Sequence, residues 1–109
     1  MKDQSLLIAF LGDTPVIRVL DFLLTERDLD FSLTDIAEQS GIGRTTLYRI
    51  LDQLLKKKIV IPTRVIGKAK LYRLHTANPS IQKLIELDNL LVKQDLRKRI
   101  GKIKVPVIS

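Results

Sequence analysis

The chain has no cysteine, no tryptophan, a single histidine and no long apolar run. Each shortage closes off a class of protein. Without cysteine there is neither a disulfide framework nor a thiolate metal site. The lone histidine, His75, has no cysteine beside it, so the sequence points to no metal and no cofactor. The longest apolar run, Leu6 to Leu11, falls well short of the roughly 18 residues that a membrane span needs, and it lacks the basic start and small-residue cleavage site of a signal peptide. The expectation is a cytoplasmic protein with no membrane partner. Catalytic arrangements are missing as well: there is no nucleophile–base pair, no metal set and no phosphate-binding glycine loop, so an enzyme is not expected. Asp21, Glu26, Asp28 and Asp30 are acidic, but nothing in their spacing makes them converge, and they read as a solvated acidic face.

Acidic charge is also scarce in one particular place. Residues 44–73 carry nine basic side chains and a single acid, Asp52, for a net +8, whereas residues 1–43 carry three basic and eight acidic ones, for −5. A surface chosen only for solubility mixes its signs. An uninterrupted basic block is the electrostatic footprint of a polyanionic partner. At 109 residues the chain has the length of one domain. Folding at that size buries only about two thirds of the exposable surface, so pairing with a second copy would add to a modest core.

Punctuation along the chain divides it into a few elements. Ser5 before Leu6–Leu11 starts a short helix or a buried strand, stopped by Gly12. Asp13 or Thr14 caps a helix with Pro15 in its first turn, and Val16, Val19, Leu20, Leu23 and Leu24 form its apolar stripe. Ser32 and Asp35 make a capping box for a short helix from Leu33 that Gly41 closes. From Arg44 a helix runs to about Lys57, with Leu47, Ile50, Leu51, Leu54 and Leu55 on one side. Residues 59–64 and 70–74 are strand-like and flank a turn that contains Gly67, and Pro62, which has no ladder donor, belongs on an edge. Asn78-Pro79 opens a last helix to about Arg99. The expected organisation is a single domain over 1–99 with a basic, flexible tail over 100–109. The fold class expected is mostly α with a small β-hairpin (α+β).

Residues 33–52 carry the spacing of a helix-turn-helix. Ile36 and Ala37 precede Gly41 and Ile42, and Leu47 and Ile50 follow. A small residue at 37 lets the second helix cross closely, Gly41 makes the sharp turn, and Ile42 plugs the angle between the helices. With the basic hairpin that follows, the chain resembles the winged helix-turn-helix regulators of the prokaryotic ArsR-like and MarR-like kind. The stretch from Phe10 to Leu20 resembles the opening of the ArsR-like branch. The likeness spans roughly residues 6 to 97 and implies a sequence-specific double-stranded DNA binder that regulates transcription as a homodimer. ArsR-like proteins often sense metals through Cys or His sets, and this chain has none; whether a small-molecule effector exists is left open.

Helical periodicity of about 100° per residue gives the Arg44–Lys57 helix a polar outer face. Thr45, Arg49, Asp52 and Lys56 project opposite the apolar side, with Thr46, Tyr48 and Gln53 on the flanks. These are the side chains a major groove rewards: arginine forks onto guanine O6 and N7, glutamine pairs with adenine, and threonine suits thymine or phosphate. Arg44 in the first turn suits a phosphate or the first base. The hairpin over 60–74 would act as a wing on backbone or minor groove through Arg64, Lys68, Lys70 and Arg73. Tyr72 suits either the core or DNA. Lys56, Lys57 and Lys58 are less telling, because lysines at a helix C-terminus favour the dipole in any protein, though they would also add salt-sensitive affinity for DNA.

Leu6, Leu7 and Phe10 near the start, and Leu84, Leu87 and Leu91 on the last helix, are expected to form the dimer interface, with 5–11 and 79–97 as the dimerisation helices. Both segments could instead close over the Val16–Leu24 helix within one subunit. A reading from a different class is a winged-helix module for protein assembly, DNA architecture or plasmid and chromosome partition. Such a module would expose apolar anchors on the second helix rather than hydrogen-bond donors.

Overall fold

Capping side chains mark the helix starts. The computed structural model describes residues 5–103. Ser5 caps α1 (Leu6–Leu11), its Oγ accepting from the Ile8 amide at 3.1 Å. Thr14 caps α2 (Pro15–Thr25), and Pro15 sits where no N–H is needed. Ser32 caps α3 (Leu33–Ser40), accepting from the Asp35 amide at 3.2 Å. Gly43 precedes α4 (Arg44–Lys56) without a side-chain cap. Asn78 Oδ1 accepts from the Ser80 amide at the start of α5 (Pro79–Ile103). The last helix therefore runs four residues past the expected Arg99, and residues 104–109 of the expected tail lie outside the described residues.

The sheet has three strands rather than two. β2 (Val60–Ile66) and β3 (Ala69–Leu74) form the expected hairpin, and β1 (Phe31–Ser32) adds to the far side of β3, giving the order β1-β3-β2 with all pairings antiparallel. A two-residue strand is too short to show alternation, which is why the sequence does not reveal it. The turn between β2 and β3 is only Gly67-Lys68, with Gly67 at φ +61°, and Pro62 lies on the edge strand as its missing donor requires. Between the pairs Pro62–Tyr72 and Val65–Lys70, two residues of β2 oppose Leu71 alone, a β-bulge.

Leu7, Val19, Leu23, Leu24, Ile36, Leu47, Val60 and Leu74 fill the centre of the core. Tyr72, on the central strand β3, is buried with them and packs in the same core cluster. Phe22 of α2 and Phe31 of β1 stack tilted, 4.7 Å between centroids, fastening the extra strand to the helical layer. At the other end, the Lys58 carbonyl accepts from Asn78 Nδ2 at 2.9 Å and lies 3.0 Å from His75 Nδ1, joining the end of α4 to the start of α5. One expectation is overturned here. Leu7 has 0 % exposure within a single protomer, so it is a core residue and has no surface to offer a partner.

Candidate nucleic-acid interface

The turn between α3 and α4 is held from outside. Gly41 takes φ +70°, and its N–H is within reach of the Ala37 and Glu38 carbonyls, closing α3 sharply. Arg18 on α2 donates to the Gly41 carbonyl at 3.1 Å while gripping Asp13 with two hydrogen bonds of 2.6 and 3.0 Å. A Cβ at position 41 would stand 3.0 Å from that guanidinium, which would have to give by a little, but the positive φ is what calls for glycine here. Ala37 is buried at the crossing and Ile42 packs against the core, as the spacing of the motif requires.

With the turn fixed, α4 presents its outer face to solvent. Arg44, Thr45, Tyr48, Arg49, Asp52, Gln53 and Lys56 are exposed and Thr46 is half-buried, while Leu47 and Leu54 point inward. The one acid on that face, Asp52, is paired with Lys56 at 3.0 Å, which cancels its charge locally. Arg44, Arg49, Lys68 and Lys70 make no ion pair among the described residues. Arg44 and Tyr48 of α4 meet Lys68 and Lys70 of the wing across an open groove of about 450 Å³, floored by Ser32, Thr34 and Tyr72. Ser32 and Thr34 bring hydroxyls to that groove. Ser32 was visible in the sequence only as a helix cap, and Thr34 gave no signal, because their place beside the wing depends on β1. Thr46 lies on the other flank, in a second groove with Thr14, Pro15 and the Gly41–Gly43 turn.

Two arginines expected on DNA do not line the groove. Arg64 is turned back onto Asp30, with Nε to Oδ2 at 2.9 Å and Nη2 to Oδ1 at 3.1 Å, and Thr63 Oγ1 donates to the same carboxylate at 2.6 Å. The hydrogen bonds from Arg64 and then Thr63 hold Asp30 at a pKa of about 2, well below the usual carboxylate range. Asp30 is thus a fixed partner and not part of a solvated acidic face. Arg73 is half-buried, its Nε enclosed without a hydrogen-bond partner, and it does not line the groove. Asp21 also departs from a solvated face: burial raises its pKa, against a lowering hydrogen bond from Ser5. No group of His, Cys, Asp or Glu side chains among the described residues is arranged to hold a metal, and none of the described helices is long and apolar enough to cross a membrane.

Elsewhere on the surface, α1 and α5 meet. Leu6, Ala9 and Phe10 face Leu91, Gln94, Asp95, Arg97 and Lys98 across an open, largely apolar groove. Leu84, Leu87 and Leu91 are half-buried and pack against the core of their own protomer. The large apolar side chains that these two helices expose are Phe10 and Leu11 on α1 and Leu90, Val92, Leu96 and Ile100 on α5. The expected interface residues of α5 therefore face inward for the most part, and its outer surface is carried by neighbours that the spacing argument did not select.

A helix-turn-helix with a basic wing defines the fold, a winged helix-turn-helix, and comparison with known proteins agrees. Residues 16–60, from α2 to the start of β2, match the IclR helix-turn-helix domain. No curated protein sequence matches the chain. Among solved structures, the chain is similar to MepR, a transcription regulator of the Staphylococcus aureus multidrug efflux pump MepA, at 19 % identity over 88 % of this chain and 69 % of that one, with a TM-score of 0.63. It is similar to the AntR antimony-specific transcriptional repressor at 22 % identity over 84 % and 78 %, TM-score 0.59. It is similar to a MarR family transcriptional regulator from Silicibacter pomeroyi at 19 % identity over 90 % and 65 %, TM-score 0.53. Domain match and architecture together give this chain a helix-turn-helix domain within a winged-helix fold that it shares with these regulators.

Proposed function

We propose that the protein is a cytoplasmic homodimer that reads a specific, two-fold symmetric DNA sequence, with α4 in the major groove and the wing on backbone or minor groove. The observation that carries this reading is the groove in which Arg44 and Tyr48 of α4 face Lys68 and Lys70 of the wing. A helix face rich in donors beside unpaired lysines has the two chemistries that DNA recognition needs, base-edge readout and phosphate attraction. Thr45, Thr46, Arg49 and Gln53 complete the reading face, and the amides at the start of α4 add partial positive charge for a phosphate.

Dimerisation is supported by shape and by exposed apolar surface. A compact chain of this length has a radius of gyration of about 13 Å. The observed value is 16.7 Å, with a longest extent of 63 Å, because α5 projects beyond the body that its first turns pack against. Phe10 at 62 % exposure and Leu96 at 53 % stand on α1 and α5, two helices that meet in an open groove. A second copy is the occupant that would cover them, and two-fold symmetry would set two α4 helices about 34 Å apart, one turn of DNA.

Titrating duplex affinity with salt tests the DNA reading. With roughly six to ten phosphate contacts per dimer, affinity falls about 10³- to 10⁵-fold between 50 and 200 mM salt. Affinity that stays flat over that range contradicts it.

A further inference from the structure

Regular alternation would put Thr63 and Arg64 on opposite faces of β2. Both instead reach the Asp30 carboxylate, Thr63 Oγ1 at 2.6 Å and Arg64 Nε and Nη2 at 2.9 and 3.1 Å. The bulge explains how: with two residues of β2 opposite Leu71 alone, the strand bends and re-aims a side chain at this point. Thr63 Oγ1 also lies 3.3 Å from the Leu71 carbonyl, so the bulge is tied to the central strand as well. Asp30 immediately precedes β1, on the opposite edge of the sheet, so the clasp straps one edge to the other across β3. Its carboxylate side chain is only 16 % exposed, while the arginine lies over it from outside. Beyond the bulge the wing continues through Val65, Ile66 and Gly67 to Lys68, all exposed and without ion pairs among the described residues.

We propose that Asp30, Thr63 and Arg64 form a clasp that sets the angle of the wing, and that Arg64 is a positioning residue acting through Asp30 rather than a DNA contact. The proposal rests on the DNA-binding reading above. With the wing bent at the bulge, the clasp fixes where Lys68 and Lys70 stand relative to Arg44 and Tyr48. A bidentate arginine–carboxylate grip suits this task because it fixes orientation as well as distance.

The test compares wild type, Asp30→Ala, Arg64→Ala, Arg64→Lys and the Asp30→Ala/Arg64→Ala double variant. Affinity for a duplex is measured as a function of salt, and amide exchange of β2 and β3 is measured in the free protein. The clasp predicts that each single variant weakens binding about tenfold, that the double variant is no weaker than either, and that the slope of log affinity against log salt is unchanged. Arg64→Lys, which keeps the charge but not the fork, should weaken binding like Arg64→Ala. Exchange in the wing should accelerate several-fold in every variant. If Arg64 were a phosphate contact, Arg64→Ala would lower the salt slope by about one, Arg64→Lys would bind nearly as well as wild type, and Asp30→Ala would bind more tightly because it frees the arginine. That pattern overturns the proposal, as does wing exchange that does not change. Wild-type protein that fails to bind duplex DNA would overturn the functional reading instead, and the exchange measurement would still judge the clasp.

Discussion

Arg49 and Lys68 are both exposed cations without an ion pair among the described residues, yet in the proposed binding mode they meet DNA differently. Arg49 projects from the middle of α4, the proposed reading helix, where a fork onto guanine would carry sequence information. Lys68 sits at the tip of the wing, where a phosphate carries none. Arg49→Ala should therefore cost about 1–3 kcal/mol on the preferred site and little on random DNA, while Lys68→Ala should weaken both by similar factors. Binding measured on the two duplexes checks this, and identical behaviour of the two variants would show that reader and clamp are wrongly assigned. Residues on α4 were legible because the helical period alone orients them. Arg64 was not, since its partner Asp30 lies 34 positions away and is reached only through a bulge that no local pattern announces. Acid should spare that contact over the ordinary range. With the Asp30 pKa depressed to about 2, the clasp is fully present above the usual carboxylate value and is lost only as pH falls toward 2.

At the scale of elements, α1 shows where a spacing argument reaches its limit. The helix is six residues long, and its apolar side chains go in two directions: Leu7 is enclosed at 0 % exposure while Phe10 stands in solvent. Sequence marks both as apolar and cannot say which one the protomer already covers. The structure separates them, and so should mutation. Leu7→Ala leaves a cavity in the core and should cost about 2–5 kcal/mol of stability. Phe10→Asp should leave the fold intact and weaken the dimer. Thermal melts together with sedimentation distinguish the two; a protein in which Leu7→Ala is harmless to folding, or Phe10→Asp leaves the dimer unchanged, contradicts the assignment. The helices and the wing hairpin were readable from caps, glycines and periodicity. Strand β1 was not, because its two residues gain strand character only by pairing Phe31 with Tyr72 and Ser32 with Leu71. That pairing is a tertiary event, and it is also what brings Ser32 and Thr34 to the groove.

Over the whole molecule, charge and shape divide the labour. The basic block over residues 44–73 folds into α4 and the wing, and Arg44, Lys68 and Lys70 from it line one groove. The apolar surplus folds onto α1 and a projecting α5, where a second copy would bury it. A dimer built this way presents two copies of the same reading surface to one duplex. The most direct measurement is selection of bound sequences from a random duplex library. The account predicts a palindromic consensus whose half-sites lie about 10 base pairs apart, centre to centre, on one face of the helix. A library that returns no enriched sequence, or a single unrepeated half-site, would contradict it.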